Sequence, residues 1–103
     1  VEVAERLARV KWLSRTKDAD LQAARAAAAD RPDDIDAQML VADLDISGGH
    51  VDDAFDRLIS LVRSTTGDER DRIRERLLEL FTVVGIADPA VMTARRALAT
   101  ALF

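Results

Sequence analysis

The chain has 103 residues, of which 49% are hydrophobic and 33% are charged, and its formal net charge is −4. This balance is typical of one small globular domain and excludes an intrinsically disordered segment. The absence of cysteine excludes disulfides and thiol chemistry, and no run approaches the ~20 apolar residues that cross a bilayer. We therefore expect no membrane partner and a cytoplasmic location.

The first two predicted helices form one unit. Residues 2–14 carry a stripe of large apolar side chains at helical spacing, namely Val3, Leu7, Val10 and Leu13. After a polar turn, Asp18 is a suitable N-cap for an alanine-rich helix over 19–29. Pro32 then ends the unit.

The second unit has clear boundaries. Helix 35–47 is preceded by Asp33 and Asp34, either of which can cap it. Gly48-Gly49 then supplies a left-handed helix stop before helix 51–64.

The third unit is longer. Asp68 is the predicted N-cap of helix 69–84, and Gly85 closes that helix. Asp88-Pro89 is a cap followed by a proline in the first turn, so a last helix is predicted from 89 to the end.

These units predict an all-α fold of about six helices. No stretch shows the alternation of a strand, and the loops are short. Short loops favour three antiparallel hairpins, over about 2–29, 35–64 and 69–103, within a single domain spanning 1–103.

The chain also repeats at a spacing of 34 residues. When residues 1–34 are laid over 35–68, Ala8 falls on Ala42 and Leu21 falls on Phe55. Small residues at the repeat positions of Ala42 and Ala54, with a proline at Pro32, resemble the tetratricopeptide signature. The resemblance implies a TPR-like right-handed solenoid or bundle whose curved outer surface is free to bind other proteins.

The last third resembles a narrower family. It combines an arginine-rich run over 68–81, the Asp88-Pro89 restart, the Arg95-Arg96 pair and the ending Leu102-Phe103. Together these look like the C-terminal tetratricopeptide region of the bacterial thioredoxin-like co-chaperones, or chaperedoxins. The resemblance implies that the chain is a fragment of a longer protein with an upstream thioredoxin-like domain. It also implies a protein–protein interaction module whose partners are chaperonin, unfolded clients and its own thioredoxin-like domain.

No catalytic or metal-binding constellation is recognisable. His50 is the single histidine, and without cysteine neither a nucleophile–base pair nor a zinc set can be assembled. We expect no enzyme activity from this region, no cofactor, and an ordinary exposed position for His50 in its turn.

Two surfaces are candidates for partner binding. Repeat geometry places one set of side chains on the concave side, namely Arg9, Trp12, Met39, Asp43 and Ile46. Trp12 is either an anchor for a bound peptide or a residue packed in the core or against the upstream domain. The basic last helix offers a second set for an acidic partner, Arg95, Arg96 and Phe103.

The charge distribution keeps two alternatives open. Residues 30–56 hold nine aspartates, whereas arginines dominate 57–76. The alternating arginines of Arg70–Arg76 suggest a nucleic-acid-associated regulator, but a pI near 4.9 argues against duplex binding, and we expect no nucleic-acid partner. The other alternative is a purely structural oligomerisation arm.

Overall fold

Six helices and no strand make up residues 2–103, the part of the chain that the computed structural model describes. The helices are α1 (Glu2–Thr16), α2 (Leu21–Asp30), α3 (Ile35–Ser47), α4 (Val51–Ser64), α5 (Gly67–Val84) and α6 (Pro89–Leu102). The predicted all-α class with six helices is confirmed, and α3 and α4 have the predicted bounds.

The start of α2 differs from the prediction. The N-cap is Asp20, whose carboxylate accepts hydrogen bonds from the backbone N–H groups of Gln22 and Ala23 at 3.4 and 3.3 Å. The prediction of Asp18 was wrong because both aspartates satisfy the capping rule, and the sequence alone does not choose between them.

Capping was also misjudged at α5 but not at α6. Helix α5 begins at Gly67 after Thr66 in the N-cap position, so Asp68 lies inside the first turn instead of capping it. The predicted cap of α6 is confirmed, because Asp88 accepts a hydrogen bond from the backbone N–H of Ala90 at 2.9 Å.

Helix α3 lies at the centre of the domain, with α1, α2, α4 and α5 packed around it. The main core is shared by α3, α4, α5 and α6, and Phe55 and Phe81 meet there edge to face with ring centroids 5.1 Å apart. Each large side chain that is fully buried, such as Leu58 or Leu77, stabilises the fold by about 1.5–3 kcal/mol. A smaller cluster joins α2 to the far side of α3.

Helix α1 has an unexpected position. It packs mainly against α5 and α3, whereas the sequence pairs it with α2 in a hairpin over 2–29. Ala8 is its one buried residue among those described. The stripe that predicts the helix faces outward, with exposures of 77, 53, 62 and 48% for Val3, Leu7, Val10 and Leu13.

None of the helices within residues 2–103 is both long enough and apolar enough to span a bilayer.

Candidate protein-binding surface

A buried carboxylate lies where α1, α3 and α5 meet. Asp43, in α3, has no exposed surface, although it sits in the apolar run of a central helix. Arg15 of α1 donates to both of its oxygens, from Nε at 2.9 Å and from Nη2 at 3.0 Å. Arg76 of α5 donates to Oδ2 from Nη1 at 2.7 Å. A buried carboxylate needs such paired, charge-assisted donors to offset the loss of its hydration.

Glu79 completes the cluster. Its Oε2 lies 2.8 Å from Arg15 Nη2 and 3.8 Å from Arg76 Nε. Two arginines therefore face two acids across the junction of three helices, and the four formal charges cancel.

Trp12 adds a neutral hydrogen bond to the same place. Its indole Nε1 donates to the backbone carbonyl of Asp43 at 2.9 Å, and its ring packs against the main core. The half-buried indole therefore packs against the core and also ties α1 to α3.

Burial shifts the pKa values inside the cluster. Desolvation raises the pKa of Asp43, and this outweighs the hydrogen bond from Arg15 and the charge of Arg76, which lower it. Burial likewise lowers the pKa of Arg76. For Arg15, burial lowers the pKa, but the hydrogen bonds to Asp43 and Glu79 prevail and the net direction is upward.

The predicted concave residues divide into two groups. Met39, Asp43 and Ile46 are buried at 3, 0 and 9% exposure, and Trp12 is half-buried above them. Arg9 alone of this set is exposed. The side of α3 that repeat geometry assigns to a partner is thus already covered, and α1 covers part of it.

The second set of predicted partner-binding residues, Arg95, Arg96 and Phe103, lies on the solvent-exposed part of α6 and at its C-terminal end. Val91, Ala94 and Leu98 are buried, and α6 packs against α4. Arg95 and Arg96 point into solvent, and Phe103 is fully exposed.

The tetratricopeptide repeat family matches residues 14–103 of this chain, which is most of its length and includes all of α2 to α6. The chain belongs to the tetratricopeptide repeat family. This repeat is a non-catalytic fold that stacks helices and presents surfaces to protein partners. The match leaves most of α1 outside it.

Three curated relatives are uncharacterized proteins, one of Mycobacterium bovis and two of Mycobacterium tuberculosis strains. Each is 52% identical to this chain over 71 residues, which is 69% of this chain and 23% of the relative. The matched segment thus spans less than a quarter of these relatives' length. No solved structure matches the chain.

Sequence reasoning on this tetratricopeptide domain missed Arg15, Arg76 and Glu79 as partners of Asp43. A signal was present, because Asp43 and Asp45 interrupt the apolar run of α3, and a buried acid requires a cation. Asp45 pairs on the other side of α3, with Arg25 Nη2 at 2.6 Å from its Oδ1.

Other polar groups have ordinary positions. His50 is exposed at the N-cap position of α4 and makes no side-chain capping bond there. Within residues 2–103, histidine and acidic side chains do not gather into a group that could hold a metal ion.

Proposed function

We propose that this domain is the protein-interaction module of a thioredoxin-like co-chaperone, recruiting unfolding client proteins and chaperonin. Membership of the tetratricopeptide repeat family supports a role in protein binding. The greater length of the mycobacterial relatives supports a module that works within a larger protein, with the thioredoxin-like domain as a further partner.

The observation that carries the client-binding role is the outward stripe of α1. Four large apolar side chains are half to three-quarters exposed along one face of this helix, namely Val3, Leu7, Val10 and Leu13. Soluble domains rarely leave such residues together unless another polypeptide covers them. Their natural occupant in this role is an unfolding client, because unfolding exposes apolar segments.

The free side of α6 suits the chaperonin role. Arg95 and Arg96 are exposed on α6, and Phe103 is exposed at the C-terminal end of this helix. The opposite side of the helix packs against α4. A cationic pair and an exposed aromatic ring on the same helix fit an acidic, partly apolar surface on a partner.

The client-binding role is tested by aggregation. The 103-residue chain is added to a model protein that unfolds on heating, and light scattering reports how far aggregation is suppressed. We expect suppression by the native chain and at least about a threefold weaker effect from Leu7→Gln combined with Val10→Gln, since each removes apolar contact area.

The matched control replaces exposed apolar residues elsewhere, Ile86→Gln combined with Met92→Gln, whose side chains are 69 and 47% exposed. This variant should suppress aggregation as well as the native chain does. Equal loss in both variants, or no suppression by the native chain, would contradict client binding at α1.

A further inference from the structure

Helix α1 attaches to a cluster of three side chains that lie on α3 and α5 alone. We call them the anchor site, which consists of Asp43, Arg76 and Glu79. Arg76 holds Asp43 in place at 2.7 Å and lies 3.8 Å from Glu79, so these contacts do not depend on α1. The site is thus assembled by the two helices that carry it.

Helix α1 enters this site through two side chains three residues apart. Trp12 donates to the carbonyl of Asp43, and Arg15 donates to the carboxylates of Asp43 and Glu79. The rest of the inward side contributes little, since Ala8 is the single buried residue of the described helix. Attachment therefore depends on specific polar groups and not on broad apolar burial.

The charge of the anchor site calls for an arginine. Without Arg15, its two acids and one arginine leave one net negative charge at the contact of α3 and α5. A guanidinium group that reaches both acids restores neutrality, and its planar fork matches the bidentate geometry seen for Arg15.

Helix α1 leaves an open cleft beside the anchor site. A cleft of about 470 Å³ remains between α1 and α5, and Ala4, Leu7, Ala8 and Lys11 border it on the α1 side. These side chains of α1 do not fill it. Most of α1 also lies outside residues 14–103, the part that the tetratricopeptide repeat family matches.

We propose that the anchor site binds a helix of a second protein that carries a tryptophan three residues before an arginine, and that α1 occupies the site until such a helix displaces it. Trp12 and Arg15 are then an internal copy of the partner's recognition pair. This inference stands on the contacts of α1, α3 and α5 and does not depend on the co-chaperone role.

The test uses the full chain and a synthetic peptide of residues 2–17. In a chain carrying Trp12→Ala and Arg15→Ala, α1 has lost both anchors, and the sole tryptophan in the mixture belongs to the peptide. We expect the peptide emission to shift to the blue on titration, as its indole enters the site. The native chain should bind the peptide at least about tenfold more weakly, because its own α1 competes.

Two control peptides separate this recognition from general apolar adhesion. A peptide with Arg15→Ala should bind the variant chain at least about tenfold more weakly, because the acids lose their cation. A peptide with Val3→Gln and Val10→Gln, changed on the outward stripe at side chains that are 77 and 62% exposed, should bind as the native peptide does. Equal binding of the native and Arg15→Ala peptides would overturn the proposal, and so would no binding to a variant chain that remains helical.

A second measurement covers the case in which the variant chain does not fold. The native chain is incubated with excess peptide that contains isotope-labelled leucine, and hydrogen exchange is followed by mass spectrometry. Displacement predicts faster exchange in the chain's own α1, with α3 and α5 still protected. Unchanged exchange in α1 at saturating peptide would contradict displacement.

Discussion

At the scale of single residues, the free energy of unfolding of the domain depends on which cations neutralise the Asp43 carboxylate. Its carboxylate has no exposed surface and receives hydrogen bonds from Arg15 and Arg76. Removing one partner of a buried ion pair leaves the other desolvated and uncompensated, at a cost of about 3–5 kcal/mol. The arginines therefore matter more for stability than their partial exposure indicates.

We expect Arg76→Ala to lower the free energy of unfolding by about 3 kcal/mol at pH 7, and by less at pH 4. A carboxyl group whose folded pKa lies above its unfolded value contributes stability at low pH that is lost as the pH rises through the folded pKa. The charge of Arg76 lowers the pKa of Asp43, so its removal raises that pKa further. The variant then loses more stability than the native chain between pH 4 and pH 7.

Urea denaturation at the two pH values measures this difference, with Arg74→Ala as the matched control. Arg74 lies exposed on the same helix, so its replacement should change the free energy of unfolding by less than about 0.5 kcal/mol at either pH. A penalty for Arg76→Ala that is equal at pH 4 and pH 7 would show that Asp43 is not the group it stabilises.

At the scale of helices, local signals gave some helix boundaries and misplaced the N-caps of α2 and α5. Gly48-Gly49 gave the exact end of α3, and Asp88 gave the exact start of α6, because each signal acts within a few residues. The orientation of α1 could not be predicted in this way. Its apolar stripe indicates a helix but not the buried side, which Trp12 and Arg15 fix through bonds to residues 28 to 64 positions along the chain.

In the candidate site, too, features set by the repeat pattern differ from features set by contacts between distant helices. Trp12 packs against the core that includes Met39 and bonds to Asp43, and the repeat pattern assigns these positions to one side because they recur with the helical period. It could not show that α1 itself would cover this region, since that depends on Glu79 and Arg76 in a helix two units away.

Helix α6 carries the prediction that belongs to this scale. Its buried side holds the helix in place, so its exposed side can be changed without altering the fold. We expect purified chaperonin to retain the native chain, and retention to fall at least about fivefold for Arg95→Glu combined with Arg96→Glu, because the cationic pair then repels an acidic surface.

A charge-matched control comes from other helices. Arg63→Glu combined with Arg74→Glu makes the same change in net charge at exposed positions of α4 and α5, and it should not alter retention. Equal losses for both double variants would indicate that only net charge matters, and α6 would not be the docking helix. Phe103→Ser tests the aromatic contact separately.

At the scale of the whole molecule, part of the uneven charge of the sequence is paired between helices. The aspartate-rich segment includes α3, and the arginine-rich segment includes α5, and the two helices pack together. Arg72 pairs with Asp36, and Arg76 pairs with Asp43. Acidic and basic segments thus neutralise each other in part where α3 meets α5, through one buried pair and one exposed pair.

This pairing argues against nucleic-acid partners. Duplex binding needs several cations free to contact phosphates along one face, but Arg72 and Arg76 are held by acids of α3. We expect the native chain to show no binding to a fluorescent DNA duplex in anisotropy titrations at about 50 mM salt, where phosphate contacts are strong. The variant Asp36→Asn releases the exposed Arg72 from its acid. It should bind the duplex no more than weakly, since a single freed cation supplies one phosphate contact. Salt-sensitive binding by the native chain would mean that arginines outside these pairs form a basic face, and would return the domain to the nucleic-acid class.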